Sequence, residues 1–531
     1  MNEKPKRLFV KKLTLSNAAA LLIASAFMSQ LLSLVRTKLV NANFPAVGIH
    51  STDSYFAAFN IPDFFYFTIA AGVLGVAFMP ILAEHLYRND RKGIWALSNS
   101  LMNLLAIIMG LVGIFIFIFA RPLIHYIVAP KLTPIQLNDA VIIMRFLAFN
   151  PFLFTISGIL SSVQQTFGRF FFFAIAPIFY NLCIISSIFI FQHNIGVVGL
   201  GIGALSGALL QLLIVMIGTR NLEFHWSPKI IWRSRDFRRI LSNLPPRALD
   251  QGMDQMENIV ETNFATRIGQ GYVSYWNNAY TLAAAPALLI GTAISTAAFP
   301  RLTNRLAEGR PDLFRIDFLR VLRVIVWTIM PVLVICYFSR GYLARLIFSR
   351  NAPEISMLFG YLTVAIFFRT IYAIVSRWFY AQNDTKTPLF VSIFTISFNV
   401  FLVYILTKPQ NYGAAGLAIS QSIVSMVEVL ILFFIMFKRD HLLFNKGFWG
   451  GILKIFSVTG FSVITGLILL TIIPLGSLDK GFFLLGTKLL IISSIIFSVH
   501  IGMSYLFGLS EASIVIRKIK RIFFKPVGVE Y

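Results

Sequence analysis

Apolar runs long enough to cross a bilayer follow one another from residue 15 to residue 508, with short, mostly basic loops between them. A hydrocarbon core of roughly 30 Å asks for about 20 apolar residues in helical conformation. The chain is expected to supply fourteen such runs, the first over 15–40 and the last over 482–508. With 57% hydrophobic and 13% charged residues in 531, it has too little polar surface to cover a soluble globule of its size. The expected fold is therefore an all-α polytopic membrane protein.

The net charge of +24 raises the question of a nucleic-acid partner. The basic residues sit in short loops between apolar runs rather than on one soluble face, so topology accounts for them and no nucleic acid is expected. Basic loops at Lys4 to Lys12, Arg88 to Lys92, Arg169, Arg220 to Arg239, Arg301 to Arg315, Lys386, Lys438-Arg439 and Arg517 to Lys525 fall on one side. Arg340, Arg345 and Arg350 are the main exception. By the positive-inside rule both termini are expected in the cytoplasm. Five Lys or Arg precede a first run with no small-residue cleavage pattern, so a retained first helix is expected. Cys183 and Cys336 lie in different halves, and the seven histidines show no ligand spacing, which supports neither a disulfide framework nor a metal site.

The chain also repeats itself at a distance of about 220 residues. Phe59-Asn60-Ile61-Pro62 running to Ala77-Phe78-Met79-Pro80 recurs in outline as Asn278-Ala279-Tyr280 running to Ala298-Phe299-Pro300, and Gly199-Leu200-Gly201-Ile202 recurs as Gly416-Leu417-Ala418-Ile419. Tandem halves are how transporters build a central site. The expected organisation is an N-terminal six-helix lobe over 1–219, a basic cytoplasmic linker over 220–239, a pseudo-symmetric six-helix lobe over 240–437, and two further helices with a basic tail over 438–531. Helix breaks are expected at Pro62, Gly72, Gly75 and Pro245-Pro246. Short amphipathic segments are expected at Arg121 to Tyr126 and, as its repeat, Arg340 to Arg345. Gly199 to Gly203 opens a membrane helix with no strand before it, so it reads as small-residue helix packing rather than a phosphate loop.

Ionisable residues within spans are expensive and count as functional candidates. Those singled out are Arg36, Asp53, Arg145, Arg247, Asp250, Asp254, Glu257, Glu261, Arg369 and Arg377. Arg247, Asp250, Asp254, Glu257 and Glu261 follow the alternating three-and-four spacing of one helical face, widened by Gln251, Gln255 and Asn258. Four carboxylates against lipid, at about 2.5 to 3.5 kcal/mol each, would cost about 10 to 14 kcal/mol, comparable to a whole protein's stability. The stripe is therefore expected to line a hydrated cavity or a polar interface, either binding a coupling cation or proton or merely solvating a vestibule. Arg36 and Asp53 are expected either to pair or to leave Arg36 for an anionic head group. No nucleophile elbow, Walker motif or zinc-binding helix is present, so no catalytic constellation supports an enzyme.

The order of several short motifs resembles the MurJ/MviN family of lipid II flippases in the multidrug/oligosaccharidyl-lipid/polysaccharide exporter superfamily. These are Ser51 to Pro62, Ala77 to Pro80, Phe167-Gly168-Arg169-Phe170, Ala176 to Asn181, Phe299-Pro300-Arg301-Leu302 and Phe379 to Pro388. The resemblance implies two six-helix lobes in a V around a cationic cavity, and two last helices forming a groove for a polyprenyl tail. It implies movement of undecaprenyl-pyrophosphate-linked peptidoglycan precursor from the inner to the outer leaflet of the bacterial cytoplasmic membrane by alternating access. Arg36 matches the second arginine of the family's first-helix motif, and Asp53 its second-helix aspartate. Gln30, Tyr66-Phe67, Ala71 and Thr281 stand where the family has charged residues. The family's sodium site would map to Asp250 or Asp254 with Asn399 and Ser420, so Na⁺ or H⁺ is the expected coupling ion and no other cofactor is expected.

The leading expectation is thus a flippase for a lipid-linked wall precursor, whose partners are a polyprenyl-pyrophosphate-linked glycan, membrane lipids and cell-wall synthesis proteins. The alternatives are an exporter of another lipid-linked glycan or of cationic small molecules, or a transport-inactive scaffold for wall synthesis.

Overall fold

A computed structural model of the chain describes residues 15–71, 78–220, 222, 224–242, 244–348, 350–476 and 479–513, without the side chains of 15–20, 23, 71 and 244–251. The basic termini, Gly72, Gly75 and the side chains of Arg247 and Asp250 lie outside the described residues. Among the described residues the chain is helical, with no strand, and it divides into two compact units at Ser274.

The first unit contains α1 (Leu15–Asn43), α2 (Thr52–Phe65), α3 (Met79–Tyr87), α4 (Arg91–Pro122), α5 (Pro134–Leu147), α6 (Asn150–Thr166), α7 (Phe171–Phe191), α8 (Gly199–Thr219), α9 (Arg235–Ser242) and α10 (Leu244–Ile268). The chain passes into the second unit within α11 (Tyr272–Pro286). There follow α12 (Ala293–Ala307), α13 (Pro311–Phe338), α14 (Arg340–Ile347), α15 (Ala352–Ala381), α16 (Lys386–Leu406), α17 (Ala415–Arg439), α18 (Lys446–Ile472) and α19 (Phe482–Leu506).

Eleven helical stretches among the described residues are long and apolar enough to cross a membrane. The other three of the fourteen expected spans fall on α1, on the stretch from α2 to α3, and on α10, whose sequence carries more than two ionisable residues. The sequence places α10 at the head of a second lobe, whereas its contacts put it in the first unit. Gly252 leaves room for Thr68, whose Oγ1 would stand 2.7 Å from an added Cβ. Thr262 Oγ1 donates to Asn60 at 3.4 Å, and Asn263 Nδ2 to the Ile127 carbonyl at 2.7 Å.

Wide π-helical turns interrupt the helices at Tyr66–Ala71, Leu123–Val128 and Ala287–Thr292. The last two begin at the residue after a proline, Pro122 and Pro286, where the ring obstructs the regular hydrogen bond and the helix widens. The turns at 66–71 and 287–292 hold equivalent places in the sequence repeat, each following a helix of 14 or 15 residues. Each receives another helix at a glycine: Gly252 of α10 against Thr68, and Gly291 against Thr370 of α15, whose carbonyl would lie 2.9 Å from an added Cβ. The expected separate segment at Arg121 to Tyr126 is instead a continuation of α4, because the wide turn carries the helix through to Val128. Its counterpart at Arg340 is a distinct short helix, α14.

Small residues bring neighbouring helices together as the sequence predicts. Gly203 and Gly207 of α8 face α7, where an added Cβ would meet Ser187 Oγ at 2.1 Å and the Tyr180 carbonyl at 2.9 Å. In the second unit Gly416 of α17 has the Leu406 carbonyl 2.4 Å from its Cβ position. Polar staples hold α18 and α19 on α13. Arg323 Nη2 donates to Glu511 Oε2 at 3.1 Å and the guanidinium fits against Gly451, while Trp327 Nε1 donates to Ser504 Oγ at 2.9 Å beside a contact of 3.2 Å between Ser462 Oγ and His500 Nδ1.

At the loop after α15, Asp384 accepts from the Thr387 hydroxyl at 2.6 Å, the Thr387 backbone N–H at 3.0 Å and Arg439 of α17 at 2.6 Å. Burial works to raise this carboxyl, but those bonds outweigh it and hold it below the usual carboxylate range. A depressed acid stabilises the folded state above its unfolded value and loses that contribution as pH falls through the folded one. Asp384→Asn is thus expected to lower the melting temperature at neutral pH, and the gap from wild type should close below about pH 4. Gly207→Ala should destabilise by about 1 to 3 kcal/mol, because the opposing atoms include the Tyr180 carbonyl and Cα, which cannot swing aside. Gly110→Ala, with nothing within 4 Å of its Cβ position, should be neutral or stabilising in the same melting experiment.

Candidate functional site

Two polar sites form within the apolar helices of the first unit. The first is built on Asp53, in the opening turn of α2 and 1% exposed. Its carboxylate accepts from the Gly271 N–H at 2.6 Å, the Ser274 N–H at 2.9 Å and the Ser274 hydroxyl at 2.6 Å. These donors form the first turn of α11, where unsatisfied N–H groups and the helix dipole favour a negative charge. Gly271 has φ +89°, a conformation open to glycine, and so aims its N–H at the carboxylate. Since the Ser274 hydroxyl proton goes to Asp53, Thr52 Oγ1 is the donor in the 2.7 Å bond between the two hydroxyls.

The loop before α2 is pinned as firmly. Thr133 and Gln136 form a capping box at the start of α5, and Gln136 Nε2 donates onward to the Gly48 carbonyl at 2.7 Å and Ser51 Oγ at 3.0 Å. Ser54 Oγ returns a bond to the Gln136 carbonyl at 2.9 Å, and His50 Nδ1 meets Asp139 at 2.7 Å. The position of Asp53 is set by α2, α5 and the turn into α11 together.

The expected Arg36 and Asp53 pair does not form. Asp53 is saturated by α11, and Arg36, half-buried on α1, bonds Ser33 Oγ at 3.3 Å. Arg36 lies within electrostatic range of Asp63, Tyr55 and Tyr180. This second site gathers residues of α1, α2, α6, α7 and the turn at 66–71. Its aromatic wall runs from Tyr66 through Phe154 to Tyr180, with centroid separations of 5.6 and 5.4 Å. Asp63 is absent from the sequence-derived candidates. The signal was there, an acid directly after Pro62 inside an apolar run, but no second charge stands near it in the sequence. An anion reaching Arg36 would also meet Asp63 within electrostatic range, while the aromatic faces offer packing to an apolar or sugar-like surface.

The acidic stripe of α10 is graded rather than uniform. Asp254 is exposed, whereas Glu257 and, two turns from Asp254, Glu261 are buried. Each of the three has an interaction partner. Of the residues expected to form a cation site, Asp250 lies outside the described side chains, Asp254 belongs to the first unit, and Asn399 and Ser420 belong to the second. Ser420 Oγ donates to the Leu417 carbonyl at 2.8 Å, and Asn399 Nδ2 to Gln421 at 3.4 Å. Among the described residues no group of three or more His, Cys, Asp or Glu is placed to hold a metal ion.

In the second unit, Arg369 of α15 donates to the Tyr280 hydroxyl at 2.7 Å and lies 5.3 Å from that ring's centroid. Two turns on, Arg377 reaches Thr296 Oγ1 at 2.7 Å. Arg145 rests over Phe117, 5.4 Å from its centroid, and bonds that residue's carbonyl. Glu428, also missed in the sequence, accepts from Ser392 at 2.8 Å, joining α16 to α17.

Charged side chains kept inside apolar helices, in a chain that repeats its helical plan, mark a polytopic membrane transporter. The chain belongs to the MurJ lipid II flippase family: that family's model, described as "Lipid II flippase MurJ", matches residues 48–492. A probable lipid II flippase MurJ of Borreliella burgdorferi is 23% identical over 427 residues, covering 79% of this chain and 83% of the relative. A lipid II flippase MurJ of Burkholderia cenocepacia is 26% identical over 444 residues, covering 79% and 84%. Among solved structures, a lipid II flippase MurJ in an inward closed conformation matches with a TM-score of 0.73 at 21% identity, over 92% of this chain and 98% of that one. An inward-facing multidrug resistance MATE family transporter of the MOP superfamily matches with a TM-score of 0.64 at 17% identity, over 80% and 98%. At such identities the structural likeness establishes the fold.

Replacing Asp53 by Asn leaves one acceptor oxygen for three donors. A hydrogen bond to a charged group contributes about 1.5 to 3 kcal/mol. Asp53→Asn is expected to destabilise by about that amount in thermal unfolding, and Ser274→Ala by less, since the two backbone donors remain.

Proposed function

We propose that this protein carries lipid II, an undecaprenyl-pyrophosphate-linked peptidoglycan precursor, from the inner to the outer leaflet of the bacterial cytoplasmic membrane by alternating access. The single observation that carries the reading is the family match over residues 48–492. The Arg36 site supports it, because it offers a guanidinium for phosphate beside aromatic faces, with the Asp63 carboxyl within electrostatic range. In this reading arriving pyrophosphate competes with Asp63 for that guanidinium.

The coupling ion in this proposal is Na⁺ or H⁺, taken up by carboxylates of the α10 stripe. Both termini face the cytoplasm, as the basic loops imply. Membrane lipids and cell-wall synthesis proteins complete the proposed partners.

The test is translocation of lipid II by the purified protein in liposomes. Arg36→Ala is expected to slow translocation about 10- to 100-fold, the equivalent of one charge-assisted contact. Asp63→Asn should bind lipid II more tightly, since the competing carboxylate is gone. Absence of translocation by folded wild type, with potential and ion gradients applied, would overturn the substrate assignment. Equal rates in wild type and Arg36→Ala would remove Arg36 from the site, and a rate indifferent to both Na⁺ and the proton gradient would dismiss the coupling.

A further inference from the structure

Residues 224–242 join α8 to α10, and a loop with only that task needs no fixed position. These residues are nevertheless fastened along the first turns of α4. Asn99 Nδ2 donates to the His225 carbonyl at 2.9 Å, Asn103 Nδ2 to the Ser227 carbonyl at 2.7 Å, and Ser100 Oγ accepts from the Ile231 N–H at 3.1 Å. Trp226 Nε1 donates to Asn103 Oδ1 at 3.0 Å. At the far end of the strip His85 meets Asp90 at 2.8 Å and Asp236 at 3.1 Å, Arg239 meets Glu84 at 3.2 Å, and Phe237 and Ile240 are fully buried.

The depth of this strip can be read from α4. Asn103, Ile107 and Leu111 are four residues apart and so share one stripe of the helix. Ile107 is 57% exposed and Leu111 63% exposed on a stretch apolar enough to span a membrane, so the stripe faces lipid. Trp226 is bonded at the head of that stripe, one helical turn from where the apolar band begins. It is 62% exposed and Trp232 is 54% exposed, and tryptophan in such a place sits at the level of lipid head groups. Lys229, Arg233, Arg235 and Arg238 are exposed around the two indoles. Asp236 is the one carboxylate in the sequence 224–242, and it is taken by His85.

We propose that residues 225–238 form an interfacial anchor that binds the phosphate head groups of anionic phospholipids, with Trp226 and Trp232 seated at the edge of the acyl region. The positive-inside bias accounts for basic residues in this loop, but not for a strip pinned by three side chains of α4 at the depth where an aromatic belt belongs. Anionic phospholipid is the occupant that matches four exposed cations and two interfacial indoles together. The anchor keeps the connection between α8 and α10 at the membrane surface.

Native mass spectrometry of the full-length protein in detergent, titrated with dioleoylphosphatidylglycerol or dioleoylphosphatidylcholine, tests the head-group preference. The wild type should retain the anionic lipid preferentially, and Lys229→Gln/Arg233→Gln/Arg235→Gln should weaken that retention about 10- to 100-fold with little change for phosphatidylcholine. All three residues are exposed, so an unchanged melting temperature confirms that the variant folds. Undiminished phosphatidylglycerol retention by the variant overturns the proposal. So does equal competition by soluble glycerol phosphate, which would mark a free-phosphate site. In liposomes carrying lipid brominated high on the acyl chain, the emission lost in Trp226→Phe/Trp232→Phe should be the quenched part of the wild-type signal. If that emission is not quenched, the strip does not lie at the membrane and the proposal fails.

Discussion

A bilayer core has no water to hydrogen-bond a stray polar group, so every such group in this protein must find its partner within the fold. Asp53 is the most demanding case. Its buried charge is met by three donors from the turn into α11, and those donors are in place because Gly271 adopts φ +89° and because α5 and the 48–54 loop are cross-tied. Removing a partner from such an arrangement leaves a charge without compensation, which is more costly than the bond itself. The same requirement shapes the contact of α13 with α18 and α19, where Arg323, Trp327, Ser462 and His500 sit among otherwise apolar surfaces.

Local irregularity follows from sequence and is then used in packing. Proline precedes two of the three wide turns, and glycine lets a neighbouring helix approach the turns at 66–71 and 287–292. A straight helix would present side chains there, and α10 and α15 would stand farther off. The corresponding turns in the two units show that the faint sequence repeat is a repeat of backbone form. Its individual residues differ, which is why few letters survive in common.

The Arg36 site differs from a simple cationic pocket because Asp63 shares it. Tyr66 packs on Phe154, which in turn packs on Tyr180. One arginine, one acid and three aromatic rings lie together in this part of the first unit.

Hydrophobic runs are sums over about twenty neighbouring residues, so eleven of the fourteen expected spans, the membrane class, the family and the small-residue packing of α8 were legible without coordinates. The candidate site was legible in part. Arg36 and Asp53 stood out as charges in apolar runs, but Asp63 and Glu428 were overlooked because each is a lone acid whose partners lie on other helices. Amino-acid sequence by itself determined which segments are long and apolar enough to cross a membrane. Tertiary structure alone decided that Asp53 answers to Gly271 and Ser274 rather than to Arg36, and that α10 packs with the first unit. The physical reason is range: hydrophobicity is read locally along the chain, whereas the partner of a buried charge is fixed by helices brought close from distant parts of it.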